Sequence, residues 1–289
     1  MIIPTKKLKS GFEMPVFGLG TWRMGGDMVY NPQNDDEADI QAIKNAIDKG
    51  ITHIDTAQNY AEGHAEKLVG KAIKGYNRSK LFIVTKLHKG NLAYNDVLST
   101  FEESLKRLDT DYVDLLLIHA PNLEIPLKET ISAMDKLVKD GLVKYIGVSN
   151  FALPRLKEAQ RLSKNPIVTN QVHYNLIYRE PEITGLLDYC QQNDVLLTAW
   201  RPVQKGILTQ KGTPIVDEIC QKYQKTPAQI AINWLISQSN VVTLSKMGDQ
   251  KHLEENLGAI GWTMKEIDIE RLQKEFPNQQ NISDRVPLV

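Results

Sequence analysis

The sequence has little of what would indicate disulfide bonds, a metal site or a membrane segment. Its 289 residues include only two cysteines, Cys190 and Cys220, and they form no CxxC pair. None of the six histidines belongs to an HxH or HExxH motif, so a metal-dependent hydrolase is a poor match and we expect no metal site. The opening stretch MIIPTKKLKS lacks the apolar segment of a signal peptide, and no apolar run approaches membrane-spanning length. These absences predict a cytoplasmic protein without membrane contact, whose cysteines stay reduced.

The absence of net charge argues against binding to nucleic acid or to an anionic membrane. Lys plus Arg total 35, and Asp plus Glu total 35. This balance creates no field that would steer the protein toward nucleic acid or an anionic membrane. The sequence also has no heptad pattern and no exposed apolar stripe, so we expect a monomer.

Short apolar runs alternate with amphipathic helical segments along nearly the whole chain. The runs recur about every 30 residues, which is the period of a βα unit. Their continuous apolar character is typical of parallel strands that are covered on both faces. Eight runs without a break favour a closed (β/α)8 TIM barrel of the α/β class over a doubly wound open sheet, which has the same alternation. The predicted strands are 16–22, 51–55, 81–86, 113–119, 143–150, 167–172, 195–200 and 241–246.

The two ends of the chain and two helix starts complete the predicted architecture. The first residues, with Gly11 at the turn, predict a β-hairpin ahead of the barrel, and the last stretch predicts extra helical structure near the C-terminus. Asn34 is the predicted N-cap of the first helix, and Thr226 with Pro227 forms a cap and first-turn pair later in the chain. Because no linker or low-complexity segment interrupts the sequence, we expect one domain over residues 1–289.

Three consecutive predicted strands each deliver a polar side chain at the carboxyl end. These side chains are Asp55, Lys86 and His119, and Tyr60 lies in the loop after the first strand. Barrel enzymes place their chemistry at this end. A phenol with a pKa of about 10 is a weak acid at neutral pH, but the ammonium of Lys86 would lower that pKa, with Asp55 as its counter-ion. With His119 orienting a carbonyl oxygen, the group predicts a site that protonates an oxygen as it gains negative charge.

Longer motifs make the chain resemble an aldo-keto reductase over nearly its whole length. The motifs are GLGTW (18–22), IDTAQNY (54–60), TKLH (85–88), LLLIHAP (115–121), GVSNF (147–151), NQVHYN (170–175) and HLEENLGA (252–259). The resemblance implies a TIM-barrel carbonyl reductase that uses NADPH. It also implies that the family's catalytic tetrad falls on Asp55, Tyr60, Lys86 and His119, with Tyr60 as the proton donor.

Other strand ends offer groups that suit a nicotinamide nucleotide. A Rossmann fingerprint is not supported, because Arg23 occupies the position where the third glycine would fall after GLGTW. Ser149, Asn150 and Gln171 carry donors and acceptors that match a nicotinamide carboxamide. Trp200 offers a flat apolar face for ring stacking.

The phosphates of such a cofactor have candidate partners further along the chain. The loop at Gln204, Lys205 and Gly206 can wrap a pyrophosphate, and Lys246 can meet a phosphate near the start of the next helix. By resemblance, NADP(H) would lie extended across these positions. The remaining predicted cofactor residues are Gly20, Thr21, Trp22, Asp55, Arg201, Pro202, Val203, Met247, His252, Glu255 and Asn256.

Two departures from the family pattern bear on the choice of cofactor. The family usually has Tyr-Ser-Pro-Leu where this chain has Trp-Arg-Pro-Val at 200–203, which adds a charge near the pyrophosphate. Around the adenosine phosphate the family often has Pro-Lys-Ser and, five residues later, Arg, whereas this chain has Ser-Lys-Met at 245–247 and then His252. Imidazole lacks the permanent forked charge of Arg, so Lys246, with Lys251, must hold a 2′-phosphate. We therefore expect NADPH as the cofactor, with NADH use as well.

Short loops predict an open and shallow substrate pocket. The segments after His119 and after Phe276 are short, whereas larger relatives fold long loops over the substrate there. An open pocket implies tolerance of many aldehydes and some ketones. The alternative is a cofactor-binding regulatory subunit with feeble turnover, similar to the channel-associated β subunits built on this fold. The predicted pocket residues are Trp22, Arg23, Met24, Tyr60, His88, His119 and Asn122.

Overall fold

A closed barrel of eight parallel strands forms the centre of the molecule. The computed structural model describes residues 1–289. Each barrel strand pairs with the next one along the chain, and the last pairs with the first, Thr243 lying opposite Phe17. The predicted TIM barrel is confirmed, and the open sheet is excluded. The strands are β1 (Thr5–Lys7), β2 (Glu13–Pro15), β3 (Phe17–Gly20), β4 (His53–Asp55), β5 (Phe82–Leu87), β6 (Val113–Ile118), β7 (Val143–Ser149), β8 (Ile167–His173), β9 (Leu196–Trp200) and β10 (Val241–Ser245), of which β3 to β10 form the barrel.

Helices surround the barrel and cover the outer faces of its strands. None of them combines the length and the apolar character needed to cross a bilayer. They are α1 (Asp36–Asp48), α2 (His64–Ile73), α3 (Tyr94–Leu108), α4 (Leu127–Lys139), α5 (Leu153–Leu162), α6 (Glu180–Ile183), α7 (Leu186–Gln192), α8 (Pro214–Tyr223), α9 (Pro227–Ser237), α10 (Gln250–Leu257) and α11 (Glu266–Glu275).

The two predicted helix starts have different outcomes. The Thr226 hydroxyl accepts from the backbone N–H of Gln229, whose side chain bonds back to Thr226, so the predicted cap of α9 is confirmed as a capping box. The predicted cap of α1 is wrong by one residue, because Asp35 accepts from the N–H of Ala38 at 3.0 Å. Asn34 instead donates its amide to two carboxylates inside the helix.

The hairpin of β1 and β2 closes the end of the barrel opposite the strand carboxyl ends. The two strands are antiparallel, with Thr5 opposite Pro15, as the sequence predicted. Phe12 and Met14 are buried and pack in one cluster with Leu115 of the barrel interior. With that end filled, only the carboxyl end offers an open mouth, which is where the polar side chains lie.

Candidate active site

Asp55, Tyr60 and Lys86 meet at the carboxyl end of the barrel. Asp55 ends β4, Lys86 lies near the end of β5, and Tyr60 opens the turn that follows β4. All three side chains are buried. The Lys86 Nζ lies 2.5 Å from Asp55 Oδ1, 2.8 Å from the carbonyl oxygen of Thr56 and 3.4 Å from Tyr60 Oη. One ammonium group therefore joins the carboxylate to the phenol.

Burial and the neighbouring charges shift the pKa values of Lys86 and Tyr60. Burial alone would lower the pKa of Lys86, but Asp55 and then Tyr60 outweigh it and raise that pKa above its ordinary value. Burial raises the pKa of the Tyr60 phenol, while Lys86 acts to lower it. The effect of burial is the larger one, so the pKa of Tyr60 is raised overall. The sequence predicted the effect of Lys86 but not that of burial. The phenol consequently keeps a proton that it can donate.

His119 adds a neutral imidazole beside the phenol. Its ring follows β6, with the centroid 5.6 Å from that of Tyr60. Burial, then the charges of Lys86 and His88, hold the pKa of His119 well below its usual range. Trp22 packs edge-on against Tyr60 with a centroid distance of 4.8 Å. An uncharged imidazole and a protonated phenol on one surface can both hydrogen-bond to a single carbonyl oxygen.

The backbone directly after Tyr60 is held in an uncommon conformation. Ala61 and Glu62 have φ angles of 47° and 55°, a region that residues with a Cβ rarely occupy. Their N–H groups donate to the carbonyl oxygens of Asp27 at 2.8 Å and Met28 at 3.1 Å, in the loop between β3 and α1. That loop therefore fixes the turn that carries Tyr60, a contact that no sequence motif indicated.

Ser149, Asn150, Gln171 and Trp200 form one hydrogen-bonded group at the mouth. The Ser149 hydroxyl donates to the carbonyl oxygen of Gln171 at 2.7 Å, and Trp200 Nε1 donates to Asn150 Oδ1 at 3.3 Å. Gln171 Nε2 donates to Asp55 Oδ2 at 2.8 Å. The residues predicted to hold a nicotinamide ring thus connect directly to the cluster of Asp55, Tyr60 and Lys86.

Several predicted cofactor residues shape the mouth through their backbone. Thr21 is buried, and both its N–H and its hydroxyl donate to the carbonyl oxygen of Asp55, at 2.9 Å and 3.0 Å. Met247 is 1% exposed and belongs to the hydrophobic core. Neither Thr21 nor Met247 therefore presents an exposed side chain at the mouth. Gly20, Pro202 and Val203 also lie in the rim segments that follow or end barrel strands.

The loop after β9 carries a guanidinium without a hydrogen-bond partner. Gln204 turns its side chain inward, where Oε1 accepts from His173 Nε2 at 2.8 Å, while Lys205 is exposed. Gly206 has a φ angle of 90° and lets the loop turn. The Arg201 side chain is 21% exposed, and its Nη1 is buried and makes no hydrogen bond within the protein. A largely buried guanidinium whose Nη1 makes no hydrogen bond is costly, so this position favours an anionic ligand.

The region predicted to hold adenosine carries a carboxylate that sequence reasoning missed. Lys246 Nζ donates to the carbonyl oxygen of Arg23 at 3.0 Å. Asp249 caps α10 by accepting from the N–H of His252 at 2.8 Å, and its other oxygen lies 2.8 Å from His252 Nδ1. An acidic residue three positions before a histidine at a helix start is the signal that could have revealed the pair. The predicted adenine contacts, Glu255 and Asn256, lie on the same helix.

The residues predicted to line the substrate pocket do not all reach it. Met24 is fully buried in the hydrophobic core, so its assignment to the pocket is wrong. Asn122 donates its amide to the carbonyl oxygen of Lys89 at 2.9 Å. His88 borders a shallow cavity of about 320 Å³. Its other lining residues include Gln58 and Asn59 of the motif IDTAQNY and Thr100 and Glu103 of α3, but none of Tyr60, Lys86 and His119, so it lies beside the proposed active site rather than in it.

This barrel and this cluster define a class of oxidoreductase that reduces carbonyl groups. The model of the Aldo/keto reductase family matches residues 16–275. The chain belongs to the aldo/keto reductase family, and the predicted resemblance is confirmed. Methylglyoxal reductase YeaE of Escherichia coli (strain K12) is 33% identical over 268 residues, which cover 91% of this chain and 92% of the relative. Glyoxal reductase of Bacillus subtilis (strain 168) is 35% identical over 270 residues, which cover 93% and 91%.

Solved structures agree with this assignment. The thermostable aldo-keto reductase Tm1743, solved with the inhibitor epalrestat, has a TM-score of 0.90 and 46% identity, covering 94% of this chain and 99% of its own. An aldo-keto reductase from Klebsiella pneumoniae, solved in complex with NADPH, has a TM-score of 0.85 and 30% identity, with both chains fully covered. The chain is therefore an enzyme of the oxidoreductase class, and the alternative of a regulatory subunit is not favoured.

Proposed function

We propose that this protein reduces aldehydes and some ketones to alcohols with NADPH, and that Tyr60 donates the proton. The observation that carries the proposal is the contact of one buried ammonium, that of Lys86, with both Asp55 and Tyr60. A phenol that retains its proton and the neutral imidazole of His119 share one surface beside that ammonium. This arrangement suits an oxygen that becomes negatively charged during reaction.

The mouth of the barrel fits a nicotinamide dinucleotide. Trp200, Asn150 and Gln171 lie together beside Asp55, and the buried Nη1 of Arg201, which has no hydrogen-bond partner, favours an anion nearby. When bound, NADPH supplies the hydride that reduces the carbonyl carbon. The NADPH complex of the Klebsiella pneumoniae relative supports this choice.

The protein's own part in the reaction is the placement and movement of one proton. Tyr60 Oη gives its proton to the carbonyl oxygen, and the nearby Lys86 stabilises the phenolate that remains. Asp55 balances the charge of Lys86 and holds its side chain in place. His119 donates a hydrogen bond to the same oxygen, which orients the substrate. General acid catalysis of this kind contributes about 10²–10⁴-fold in rate.

Small carbonyl compounds are the proposed substrates. The segments that follow His119 and Phe276 are short, so no long loop closes over the barrel mouth and a small carbonyl compound can reach it. The relatives named methylglyoxal reductase and glyoxal reductase support small dicarbonyl compounds such as methylglyoxal. We further propose that residues 1–289 form a single domain that works as a cytoplasmic monomer without nucleic acid, and that NADH serves as a second cofactor.

The experiment that tests the proposal compares the protein with its Tyr60→Phe variant. NADPH oxidation is followed with methylglyoxal and with 4-nitrobenzaldehyde as substrates, and the dissociation constant of NADPH is measured separately. We expect the variant to lose about 10²–10⁴-fold in kcat while NADPH binding stays nearly unchanged. Full activity in the variant would refute the acid role of Tyr60, and no turnover by the unmodified protein with either aldehyde would refute the proposed function.

A further inference from the structure

Residues 277–289, the tail segment, are held beside the barrel mouth by hydrogen bonds from their backbone N–H groups. The N–H of Gln280 donates to the carbonyl oxygen of Ile177 at 2.7 Å. The two carboxylate oxygens of Glu180 accept from the N–H groups of Ser283 at 3.0 Å and Leu288 at 3.1 Å. The side chains between these anchors therefore have a defined place beside the mouth.

His173 connects the tail segment to the residues proposed to hold the cofactor. Its ring stacks on Trp200 with a centroid distance of 4.2 Å and an interplanar angle of 8°, and Tyr178 stacks on it at 4.4 Å. Nε2 faces Gln204 Oε1 and Nδ1 faces the Ser283 hydroxyl, each at 2.8 Å. Because the amide oxygen can only accept, Nε2 carries the proton and Nδ1 accepts from Ser283. A neutral imidazole can donate from one ring nitrogen and accept at the other, and burial is the main cause that lowers the pKa of His173 to about 4.

This link brings a carboxylate and a second guanidinium next to Arg201. Asp284 Oδ1 lies 3.8 Å from Arg201 Nη1, and Asp284 Oδ2 lies 3.9 Å from Arg285 Nε. Both distances exceed that of a hydrogen bond. The carboxylate therefore balances part of the charge without satisfying the donors of Arg201, whose buried Nη1 remains unpaired. A guanidinium presents five donors in a fixed fork, which suits an anion with several oxygens.

Lys205 adds a third positive charge from a third segment of the chain. Its pKa is lowered, first by the charge of Arg201 and then by that of Arg285, while Asp284 opposes the effect. Like charges that repel one another in this way are stabilised when an anion binds between them. Arg201, Arg285 and Lys205 thus exceed the single carboxylate of Asp284 by two positive charges in this region beside Trp200.

We propose that Arg285 of the tail segment completes, with Arg201 and Lys205, a receptor for the pyrophosphate of the dinucleotide, and that Asp284 is the counter-ion that the pyrophosphate displaces. A pyrophosphate carries two negative charges and several acceptor oxygens, which match the two unbalanced cations and the free fork of Arg201. The inference rests on the proposed function, since it assumes a nicotinamide dinucleotide. It assigns a cofactor-binding role to the tail segment.

The test measures dissociation constants rather than turnover. The ligands are NADPH, NADH and ADP-ribose, all of which contain a pyrophosphate, and 2′-AMP, which does not. The variants are Arg285→Gln and Asp284→Asn, with Arg161→Gln as the matched control, because Arg161 is an exposed residue on α5 that forms no ion pair. Thermal unfolding of each variant establishes that the fold is retained.

We expect Arg285→Gln to weaken all three pyrophosphate ligands by about fivefold and to leave 2′-AMP unchanged, as for the loss of one half-exposed charge contact. Asp284→Asn should tighten the same three ligands, since it removes the competing carboxylate, and Arg161→Gln should change none of them. Unchanged ADP-ribose binding in Arg285→Gln would overturn the proposal. An effect confined to the KM of a carboxylate-bearing substrate such as glyoxylate would overturn it as well, since the cluster would then recognise the substrate. Because ADP-ribose transfers no hydride, these outcomes are independent of whether the unmodified protein reduces aldehydes.

Discussion

At the scale of single residues, the charge of Lys86 holds together the cluster proposed to be catalytic. It is fully buried, and its ammonium contacts Asp55 and Tyr60. The Lys86→Met variant would leave Asp55 as a buried carboxylate without a cation, so we expect the free energy of unfolding to fall by about 3–5 kcal/mol. Turnover should also be lost, because nothing would stabilise the Tyr60 phenolate. Urea unfolding and the rate of NADPH oxidation measure the two effects.

A double variant separates these two roles of Lys86. Asp55→Asn together with Lys86→Met removes both charges, so most of the lost stability should return while turnover stays absent. Turnover in the double variant would contradict the proposed role of the ammonium in proton donation. Stability that stays as low as in Lys86→Met would show that the ion pair is not the cause of the loss.

A second residue-scale prediction concerns the choice between NADPH and NADH. Asp249 pairs with His252 where the sequence departs from the family pattern for binding a 2′-phosphate. The Asp249→Asn variant keeps an equally good helix cap and removes a negative charge. We expect it to raise the preference for NADPH by about two- to fivefold, the effect of one exposed charge, with NADH binding unchanged.

The ratio of the two dissociation constants measures this preference. His252→Arg should shift it in the same direction, because the forked guanidinium grips a phosphate. A preference for NADPH above about a thousandfold in the unmodified protein, equivalent to roughly 4 kcal/mol, would show that the adenosine site is complete without these changes.

At the scale of elements, the start of α9 shows how local sequence fixes a helix boundary. Thr226 and Gln229 form a reciprocal capping box. The Thr226→Ala variant should lower the free energy of unfolding by about 1 kcal/mol, since one backbone N–H of the first turn loses its acceptor. Thr226→Ser retains the hydroxyl and is the matched control. Denaturant unfolding that shows equal losses in both variants would assign the effect to packing of the Thr methyl group instead.

At the scale of the whole molecule, three buried neutral histidines link folding to pH. Burial lowers the pKa of His53 and of His173 to about 4 and holds that of His119 well below its usual range. In the unfolded chain these histidines have pKa values of about 6.5. At a pH between that value and the lower pKa of the folded protein, the unfolded chain therefore binds more protons than the folded one. Stability is therefore complete above about pH 6.5 and falls as the pH drops toward 4, by about 1 kcal/mol per pH unit for each histidine.

Urea unfolding at several pH values between 4 and 6.5 measures how steeply the free energy of unfolding changes with pH. His53→Phe should reduce this slope by the share of one histidine, because both nitrogens of His53 lack partners and their loss breaks no hydrogen bond. A slope that stays the same in His53→Phe would mean that other groups control acid sensitivity.

The sequence alone, through its local pattern and strand order, determined the barrel fold, the common rim of three polar side chains and one helix cap. The apolar runs predicted the closed barrel, and parallel strands bring their carboxyl ends to one rim, so Asp55, Lys86 and His119 had to lie near one another. Capping chemistry at Thr226 is also local and was predicted. Met24, in contrast, was assigned to the pocket although the structure buries it, because the direction of a side chain in a loop depends on contacts that no periodic pattern records.

Only the tertiary structure decided which distant segments share the barrel mouth. Ser283 meets His173 across 110 positions of sequence, and this contact places Asp284 beside Arg201. The raised pKa of Tyr60 has the same origin, since burial outweighs the effect of the lysine that the motif identifies. The physical reason is that hydrogen bonding within strands and helices acts over a few residues, whereas desolvation and charge interactions depend on distance in space.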